Sequence, residues 1–179
     1  MTDDDLALWV GEWAQRYSAK YDEVLAHLHE TTVLDRSSVF TVIDWKFNAD
    51  PRRRANAYRR MAEESEDQAI LDITAAARAC LDDGAAMRVI CLLRGVGQAL
   101  GSALLMTMDP QRWTVLDRRA VSSIRVIGYN DVPSDSQDRR TWLPYLQACR
   151  DVHQRTGESL RNVDRALYTA KGRGQPPRA

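Results

Sequence analysis

The sequence has no excess of charge of either sign and no long apolar run. Its 25 basic and 25 acidic side chains give a net charge of zero over 179 residues, whereas proteins that bind nucleic acid are often basic overall. Any nucleic-acid binding must therefore depend on a local basic patch. Because no apolar run approaches the ~18 residues that span a bilayer, the sequence predicts no membrane partner.

Cysteine is scarce, and the three cysteines lack the spacing of a metal-binding set. They are Cys80, Cys91 and Cys149, each in an apolar or helical context. An odd number of cysteines behind an acidic N-terminus, with no signal sequence, is typical of a reducing compartment. We therefore expect a cytoplasmic protein.

Strand patterns are also missing, because almost every apolar stretch has the spacing of one face of a helix. The sequence predicts an all-α fold of about eight or nine helices. Ser37-Ser38 is expected to cap a helix, and Asp83-Gly84 to end one. The predicted segments include helices over residues 39–47, 85–93, 98–108, 117–127, 138–156 and 159–170, with a loop over 128–137.

The expected domain organisation is simple. Residues 1–170 are predicted to form one helical domain, or two lobes within it, with a helical hairpin at about 85–108. Residues 171–179 are basic and rich in glycine and proline, a composition that predicts a disordered tail.

The most distinctive stretch combines two apolar helices, a Gly-Val-Gly turn between them and a carboxylate at the head of a third helix. The turn is Gly95-Val96-Gly97, and the carboxylate is Asp117. Glycines allow unusual backbone conformations and let another backbone come close. Amides exposed at the start of a helix attract anions. The turn is therefore predicted to hold a phosphate.

This stretch resembles the helix-hairpin-helix DNA glycosylases, the base-excision superfamily that includes the adenine, 8-oxoguanine and alkylpurine glycosylases. The family pattern is Leu-Pro-Gly-Val-Gly, a helix with small residues, and an essential Asp about twenty positions later. Residues 93–97 match except that Arg94 replaces the proline, and Asp117 lies twenty positions after Gly97 within Val115-Leu116-Asp117. Gly101 and Ala103 supply the small residues. The resemblance covers roughly residues 81–127 and implies the family's helical fold.

The activity that the resemblance implies is hydrolysis of the N-glycosidic bond of a flipped, damaged or modified base in double-stranded DNA. Asp117 would stabilise the oxocarbenium-like state and activate water. Viewed alone, Asp117 is also an ordinary N-cap aspartate. Bifunctional relatives carry a nucleophilic lysine two positions after the second hairpin glycine, where this chain has Ala99. The enzyme is therefore expected to be monofunctional, without lyase activity.

The resemblance also implies where DNA and an ion would bind. The residues expected at the DNA backbone are Arg94, Gly95, Val96, Gly97, Gln98, Arg118 and Arg119. A structural K⁺ or Na⁺ ion would lie on the main-chain carbonyls of Cys91, Leu93 and Val96. No other cofactor is expected.

A flipped base needs an aromatic face in its pocket. Trp45, between Asp44 and Lys46, combines a flat ring with two polar neighbours and is the candidate for this pocket. A solvated role for Lys46 is the simpler interpretation, and entry into the active site is the alternative. The four other tryptophans are predicted to be packing residues, namely Trp9, Trp13, Trp113 and Trp142.

Three classes of function remain open. The first is a glycosylase, acting in DNA repair or in defence against phage DNA with modified bases. The second is a non-catalytic helix-hairpin-helix DNA-binding protein, and the third is a helical scaffold whose turn is only structural. In each case we expect a monomer. The base that is excised depends on pocket residues for which the resemblance is weak.

Overall fold

The computed structural model describes residues 1–28, 31–64 and 66–174, and within these ranges the chain is all-helical. It has 65% helix, no strand and ten α-helices, which confirms the predicted fold class. None of these helices is long and apolar enough to cross a membrane. The helices are α1 (Asp3–Gln15), α2 (Lys20–Glu23), α3 (Arg36–Lys46), α4 (Pro51–Glu64), α5 (Asp67–Ala79), α6 (Asp83–Ile90), α7 (Gln98–Met108), α8 (Arg118–Val126), α9 (Trp142–Thr156) and α10 (Leu160–Ala170).

Several helices begin where their capping residues predict. Thr2 and Asp5 form a capping box at the start of α1: the Asp5 amide donates to the Thr2 hydroxyl (3.1 Å), and the Thr2 amide donates to the Asp5 carboxylate (3.2 Å). Pro51 is the first residue of α4, a position that needs no amide donor. The Ser159 hydroxyl accepts a hydrogen bond from Asn162 and caps α10.

The predicted start of α3 was wrong. The cap is Asp35 rather than Ser37-Ser38, because the Asp35 carboxylate accepts a 2.7 Å hydrogen bond from the Ser38 amide. Hydrogen bonds from the Ser38 side chain and from its backbone amide lower the pKa of Asp35 below its usual value. A carboxylate and a hydroxyl are both good caps, and here the Asp35 carboxylate accepts the hydrogen bond from the Ser38 amide.

Two further boundaries differ from the prediction. Asp83-Gly84 begins α6 instead of ending α5, since Asp82 caps α6 through the Ala85 amide (2.6 Å). α9 begins at Trp142 rather than at residue 138. The Asp138 carboxylate instead closes a turn by accepting the Arg140 amide and guanidinium, and the Arg140 side chain lowers the pKa of Asp138 to about 2.

The chain divides into two compact units. We call Met1–Ser18 with Gln111–Ala179 the terminal unit and Ala19–Pro110 the central unit. In the terminal unit α1 packs against α10 and α9, and α10 packs against α8. The predicted packing tryptophans of this unit are confirmed, because each is at most 3% exposed. They are Trp9, Trp13, Trp113 and Trp142.

The central unit contains α2 to α7. α6 packs against both α5 and α7, and α3 packs against α4 and α7. The core is formed by apolar side chains that recur at helical spacing, which is the pattern that predicted these helices. They include Val39, Val42, Ile43, Met61, Ile70, Ile90 and Leu104.

The first residues of the predicted disordered tail are bonded to the terminal unit. The Gly172 amide donates to the Ser123 hydroxyl (2.8 Å), and the Gly174 carbonyl accepts from the Trp9 indole (2.7 Å). Residues 171–174 therefore follow α10 in a defined turn. Residues 175–179 of the predicted tail lie outside the described residues.

Candidate functional site

The predicted hairpin is a tight, hydrogen-bonded turn between α6 and α7. After Ile90 the chain continues in turns, with the Leu93 amide bonded to the Ile90 carbonyl (3.3 Å) and the Val96 amide bonded to the Leu93 carbonyl (3.1 Å). The side chains of Leu93 and Val96 are buried, whereas Arg94, Gly95 and Gly97 are exposed. Two apolar side chains thus anchor the turn and leave its glycines at the surface.

Gly95 is required by the fold. Its φ of +81° lies in the left-handed region that favours glycine. A Cβ at this position would also lie 2.8 Å from the Cβ of Arg60 and 3.7 Å from the Ala57 carbonyl oxygen. Both the backbone conformation and the contact with α4 therefore account for this glycine.

Gly97 is different, because no feature of the described residues requires a glycine here. Its φ of −97° and ψ of 178° are extended values that any residue adopts. A Cβ built here meets no atom of the described residues within 4 Å. Gly97 is the N-cap of α7 and supplies no side-chain cap, although Ser, Asp or Asn would cap the helix better. A side chain would fit here, so the fold itself gives no reason for glycine.

The small residues of α7 are explained by helix packing. A Cβ at Gly101 would lie 3.0 Å from Ile90 Cγ2 and 3.1 Å from Met87 Sδ, and Ala103 is fully buried. Gly101 thus lets α6 and α7 approach closely, and Ala103 fills a buried position on α7. The resemblance at these two positions therefore reflects packing of the hairpin helices.

Asp117 is the N-cap of α8 in the terminal unit. Its carboxylate accepts a 2.8 Å hydrogen bond from the Arg119 amide, and the residue is half-buried. The segment before it is buried, and the hydroxyl of Tyr145 donates to the Val115 carbonyl at 3.2 Å. A buried segment therefore leads into Asp117, and the N-cap interpretation accounts for one contact of its carboxylate.

The two arginines after Asp117 differ in their surroundings. Both are exposed. The Arg119 guanidinium donates to the hydroxyl of Tyr168 (2.8 Å) and lies 5.1 Å from the centre of its ring. Arg118 makes no such ring contact among the described residues. The hydrogen bond and the ring contact therefore hold the Arg119 side chain in position.

Comparison with known proteins identifies no relative. No protein family model matches the chain, and neither curated proteins nor solved structures match it significantly. The resemblance to glycosylases is therefore a hypothesis carried by the hairpin and Asp117.

The predicted base-pocket residues lie at the C-terminal end of α3 in the central unit. Asp44 accepts a 2.6 Å hydrogen bond from the hydroxyl of Tyr58 and lies 3.8 Å from Arg54. Partial burial, together with this bond, raises the pKa of Tyr58 to about 12. Trp45 and Lys46 are half-buried. Asp44 thus contacts a tyrosine and a cation that the sequence analysis did not include.

The predicted ion site consists of main-chain oxygens of the hairpin. The Leu93 carbonyl already accepts the Val96 amide, but a carbonyl oxygen has two lone pairs and can accept again. Among the described residues, no group of three or more His, Cys, Asp or Glu side chains is arranged to hold a metal ion. A K⁺ or Na⁺ ion on the carbonyls of Cys91, Leu93 and Val96 remains a prediction.

Sequence reasoning missed one group of residues close to Asp117. The Arg119 guanidinium lies over the ring of Tyr168, which belongs to α10. The Tyr168 ring also contacts the ring of Tyr17, which follows α1. The spacing of Arg161, Arg165 and Tyr168 along α10 is helical, so their common face was readable from the sequence. Their meeting with Tyr17 and Arg119 joins segments more than a hundred residues apart and left no local signal.

Proposed function

We propose that the protein is a monofunctional DNA glycosylase that hydrolyses the N-glycosidic bond of a damaged or modified base in double-stranded DNA. One observation supports the proposal, namely that neither the backbone angles of Gly97 nor its neighbours among the described residues require it to be glycine. Gly97 is the N-cap of an eleven-residue helix. A glycine at this position lets a ligand approach the backbone amides at the start of the helix. A phosphate is such a ligand.

The hairpin would grip one phosphate of the DNA backbone. The buried Leu93 and Val96 hold the turn rigid, and the exposed Gly95 and Gly97 let a phosphate approach the first amides of α7 near Gln98. Arg94 is exposed beside them and adds a positive charge. A structural K⁺ or Na⁺ ion on the predicted carbonyls would hold the same turn.

Asp117 would supply the chemistry. As the bond between C1′ and the base nitrogen breaks, its electron pair leaves with the base and the sugar becomes cationic, so a fixed carboxylate lowers the barrier. Water then bonds to C1′ and passes a proton to Asp117, and the released base takes up a proton at the nitrogen that carried the bond, so that the net reaction adds OH to the sugar and H to the base. The products are a free base and an abasic strand. Ala99 offers no amine that could form a Schiff base.

The other expected residues would also contact the DNA. Arg118 and Arg119 would contact the DNA backbone, and Asp44, Trp45 and Lys46 would contact the flipped base. DNA repair is the role we favour, ahead of defence against phage DNA with modified bases. The protein would act in the cytoplasm as a monomer.

The test is a base-release assay on duplexes that each carry one deaminated, oxidised, alkylated or 5-substituted base. We expect at least one duplex to lose its base and to break only after heat or alkali. The Asp117→Asn variant should bind that duplex and release no base. Absence of release from every duplex, together with salt-dependent binding, would favour the second candidate below.

The second candidate is a DNA-binding protein without catalysis. The specific observation in its favour is that Asp117 already has a structural task, the 2.8 Å cap of α8. A cap alone would account for an aspartate at this position. Under this proposal the hairpin would still bind phosphate, and Asp117→Asn would change nothing measurable.

A further inference from the structure

The side chain of Arg60, in α4, lies across the hairpin turn of the central unit. A Cβ at Gly95 would lie 2.8 Å from the Arg60 Cβ and 3.3 Å from the Arg60 Cδ. Because both atoms are close to Gly95, the aliphatic part of the side chain runs over the turn, and the guanidinium group follows directly beyond it. Arg60 is exposed, as are Gly95 and Gly97. A cation therefore lies at the surface beside the proposed phosphate site of the hairpin.

α4 meets the turn with one face of the helix. Arg53, Asn56, Ala57 and Arg60 lie at positions i, i+3, i+4 and i+7, so they share this face. Ala57 is 4% exposed, and its carbonyl oxygen would lie 3.7 Å from a Cβ at Gly95. The other three residues are exposed, and we call them the basic face of α4. This face continues from the turn for about 10 Å towards the start of the helix.

The positive charge of the central unit is concentrated in α4. Residues 51–60 contain five arginines and no acidic residue, whereas residues 19–110 as a whole contain 11 Arg and Lys against 14 Asp and Glu. Almost half of the cations of an acidic unit therefore lie within ten residues. A chain without net charge needs such a local basic patch to bind nucleic acid. The five arginines are Arg52, Arg53, Arg54, Arg59 and Arg60.

Packing explains the position of Arg60 but not its charge. The atoms close to Gly95 are Cβ and Cδ, and a methionine or a leucine could make the same contact. Arg53 forms an ion pair with Asp50 at 3.3 Å, but the two side chains are 64% and 45% exposed. An exposed pair of this kind contributes little, so the Arg53 guanidinium can also bind a phosphate. Both arginines can offer two parallel N–H donors to phosphate oxygens.

We propose that the basic face of α4 binds the DNA backbone beside the hairpin, with Arg60 on the phosphate next to the one at the turn and Arg53 on a further phosphate of the same strand. The two arginines are about 10 Å apart along the helix axis, and one strand carries a phosphate every 3.4 Å or so of duplex, so each arginine reaches a different phosphate. The proposal rests on the proposed function, in that the hairpin binds duplex DNA. It extends the contact to a helix outside residues 81–127, where the family resemblance lies.

The test measures duplex binding as a function of salt for the full chain and three variants. Arg60→Gln and Arg53→Gln each remove one charge from the basic face, and glutamine keeps carbons at the Cβ and Cδ positions that contact Gly95. Arg59→Gln is the matched control. Arg59 is an exposed arginine of the same helix, but it lies about 100° round the helix from Arg60 and pairs with Glu63 at 3.7 Å.

We expect Arg60→Gln and Arg53→Gln each to weaken duplex binding about tenfold at low salt. Each should lower the slope of log K against log salt by about 0.9, the contribution of one phosphate contact. Arg59→Gln should leave the slope unchanged, and Arg60→Lys, which keeps the charge, should keep it as well. A wild-type slope in either Arg53→Gln or Arg60→Gln, or an equal loss in Arg59→Gln, would overturn the inference.

Melting curves followed by circular dichroism distinguish binding from a structural role. A residue that only packs against the turn would change the melting temperature and not the salt slope. We expect Arg60→Gln to melt close to the wild type, because the contacts with Gly95 are retained, and to lose slope. A lower melting temperature with a wild-type slope would show that Arg60 only supports the turn.

The result also separates this inference from the proposed function. If duplex binding of the wild type depends on salt and is weakened by Gly97→Ser, while Arg53→Gln and Arg60→Gln keep the slope, the hairpin contact stands and only the α4 proposal fails. If the wild-type chain shows no salt-dependent binding to duplex DNA, the proposed function and the α4 proposal fail together.

Discussion

Gly95 lies so close to Arg60 that a Cβ at position 95 would approach the Arg60 Cβ to 2.8 Å. Since real Cβ contacts are longer, Gly95→Ala requires either the turn or α4 to move. The φ of +81° adds backbone strain for any side chain. We predict that Gly95→Ala lowers the free energy of unfolding by about 1–3 kcal/mol, measured by urea denaturation. A stability equal to that of the wild type would show that the turn is not held against α4 as described.

Gly97→Ser, unlike Gly95→Ala, should change duplex binding and not stability. Serine is a better N-cap than glycine, the backbone is already extended and no neighbouring atom obstructs a Cβ. We predict unchanged or slightly higher stability, by a few tenths of a kcal/mol. Duplex binding should weaken about tenfold and equally for all sequences, because the hairpin contacts the backbone. Filter binding or fluorescence anisotropy on several unrelated duplexes measures this. Wild-type affinity would support a purely structural turn.

The Asp117→Asn variant separates the helix-capping role of this residue from its proposed catalytic role. Asparagine caps helices about as well as aspartate, so the melting temperature should stay close to that of the wild type. The neutral amide cannot stabilise a cationic sugar, and we predict at least a hundredfold loss in the rate of base release. Duplex affinity should change little. A variant that releases base at nearly the wild-type rate would remove Asp117 from the mechanism.

The local elements of this fold were predictable from the sequence, because their signals lie within a few residues. The bounds of α7, Gln98–Met108, follow from a glycine at its start and an apolar run behind it. The start of α9 was predicted wrongly because the Asp138 carboxylate binds Arg140 and closes a turn instead of capping a helix. Sequence periodicity does not distinguish a helix cap from a closed turn.

The candidate site was predictable only where it is contiguous. Residues 93–98 form the predicted turn, and Asp117 heads the predicted helix. The contact of Arg119 with Tyr168 was not predictable, because these residues are 49 positions apart and their contact depends on how α8 packs against α10. For Gly97 the sequence shows only that the residue is glycine. The structure adds that neither its backbone angles nor its described neighbours require a glycine.

Stability should fall in alkaline solution because two ionisable side chains are completely buried. Burial raises the pKa of Tyr145 and of Cys149 well above their usual values, which are about 10 and 8.5 in unfolded chains. Above about pH 8.5 the unfolded chain therefore loses protons that the folded chain keeps, and unfolding becomes easier. Below that pH the contribution is fully present. Each group contributes a slope of up to about 1.4 kcal/mol per pH unit.

Cys149→Ala should reduce this alkaline slope, whatever it costs in packing at neutral pH. Urea denaturation at intervals from pH 7 to pH 10.5 measures the slope directly. Cys80→Ala is the matched control, because Cys80 is only half-buried. Equal slopes for the wild type and Cys149→Ala would indicate that the Cys149 thiol ionises as easily in the folded chain as in the unfolded one.

The position of Ala99 makes a prediction about the mechanism. A bifunctional glycosylase would have its lysine here, and Ala99 lies in the first turn of α7 without an amine. The nucleophile should therefore be water, and borohydride should trap no covalent adduct between protein and DNA during turnover. Strand breaks should appear only after heat or alkali. Lys46 is the matched probe, because a partly desolvated lysine can act as a neutral amine and Lys46 is half-buried at the end of α3. An adduct that forms with the wild type and disappears in Lys46→Ala would mean that the enzyme is bifunctional and that Lys46 enters the active site.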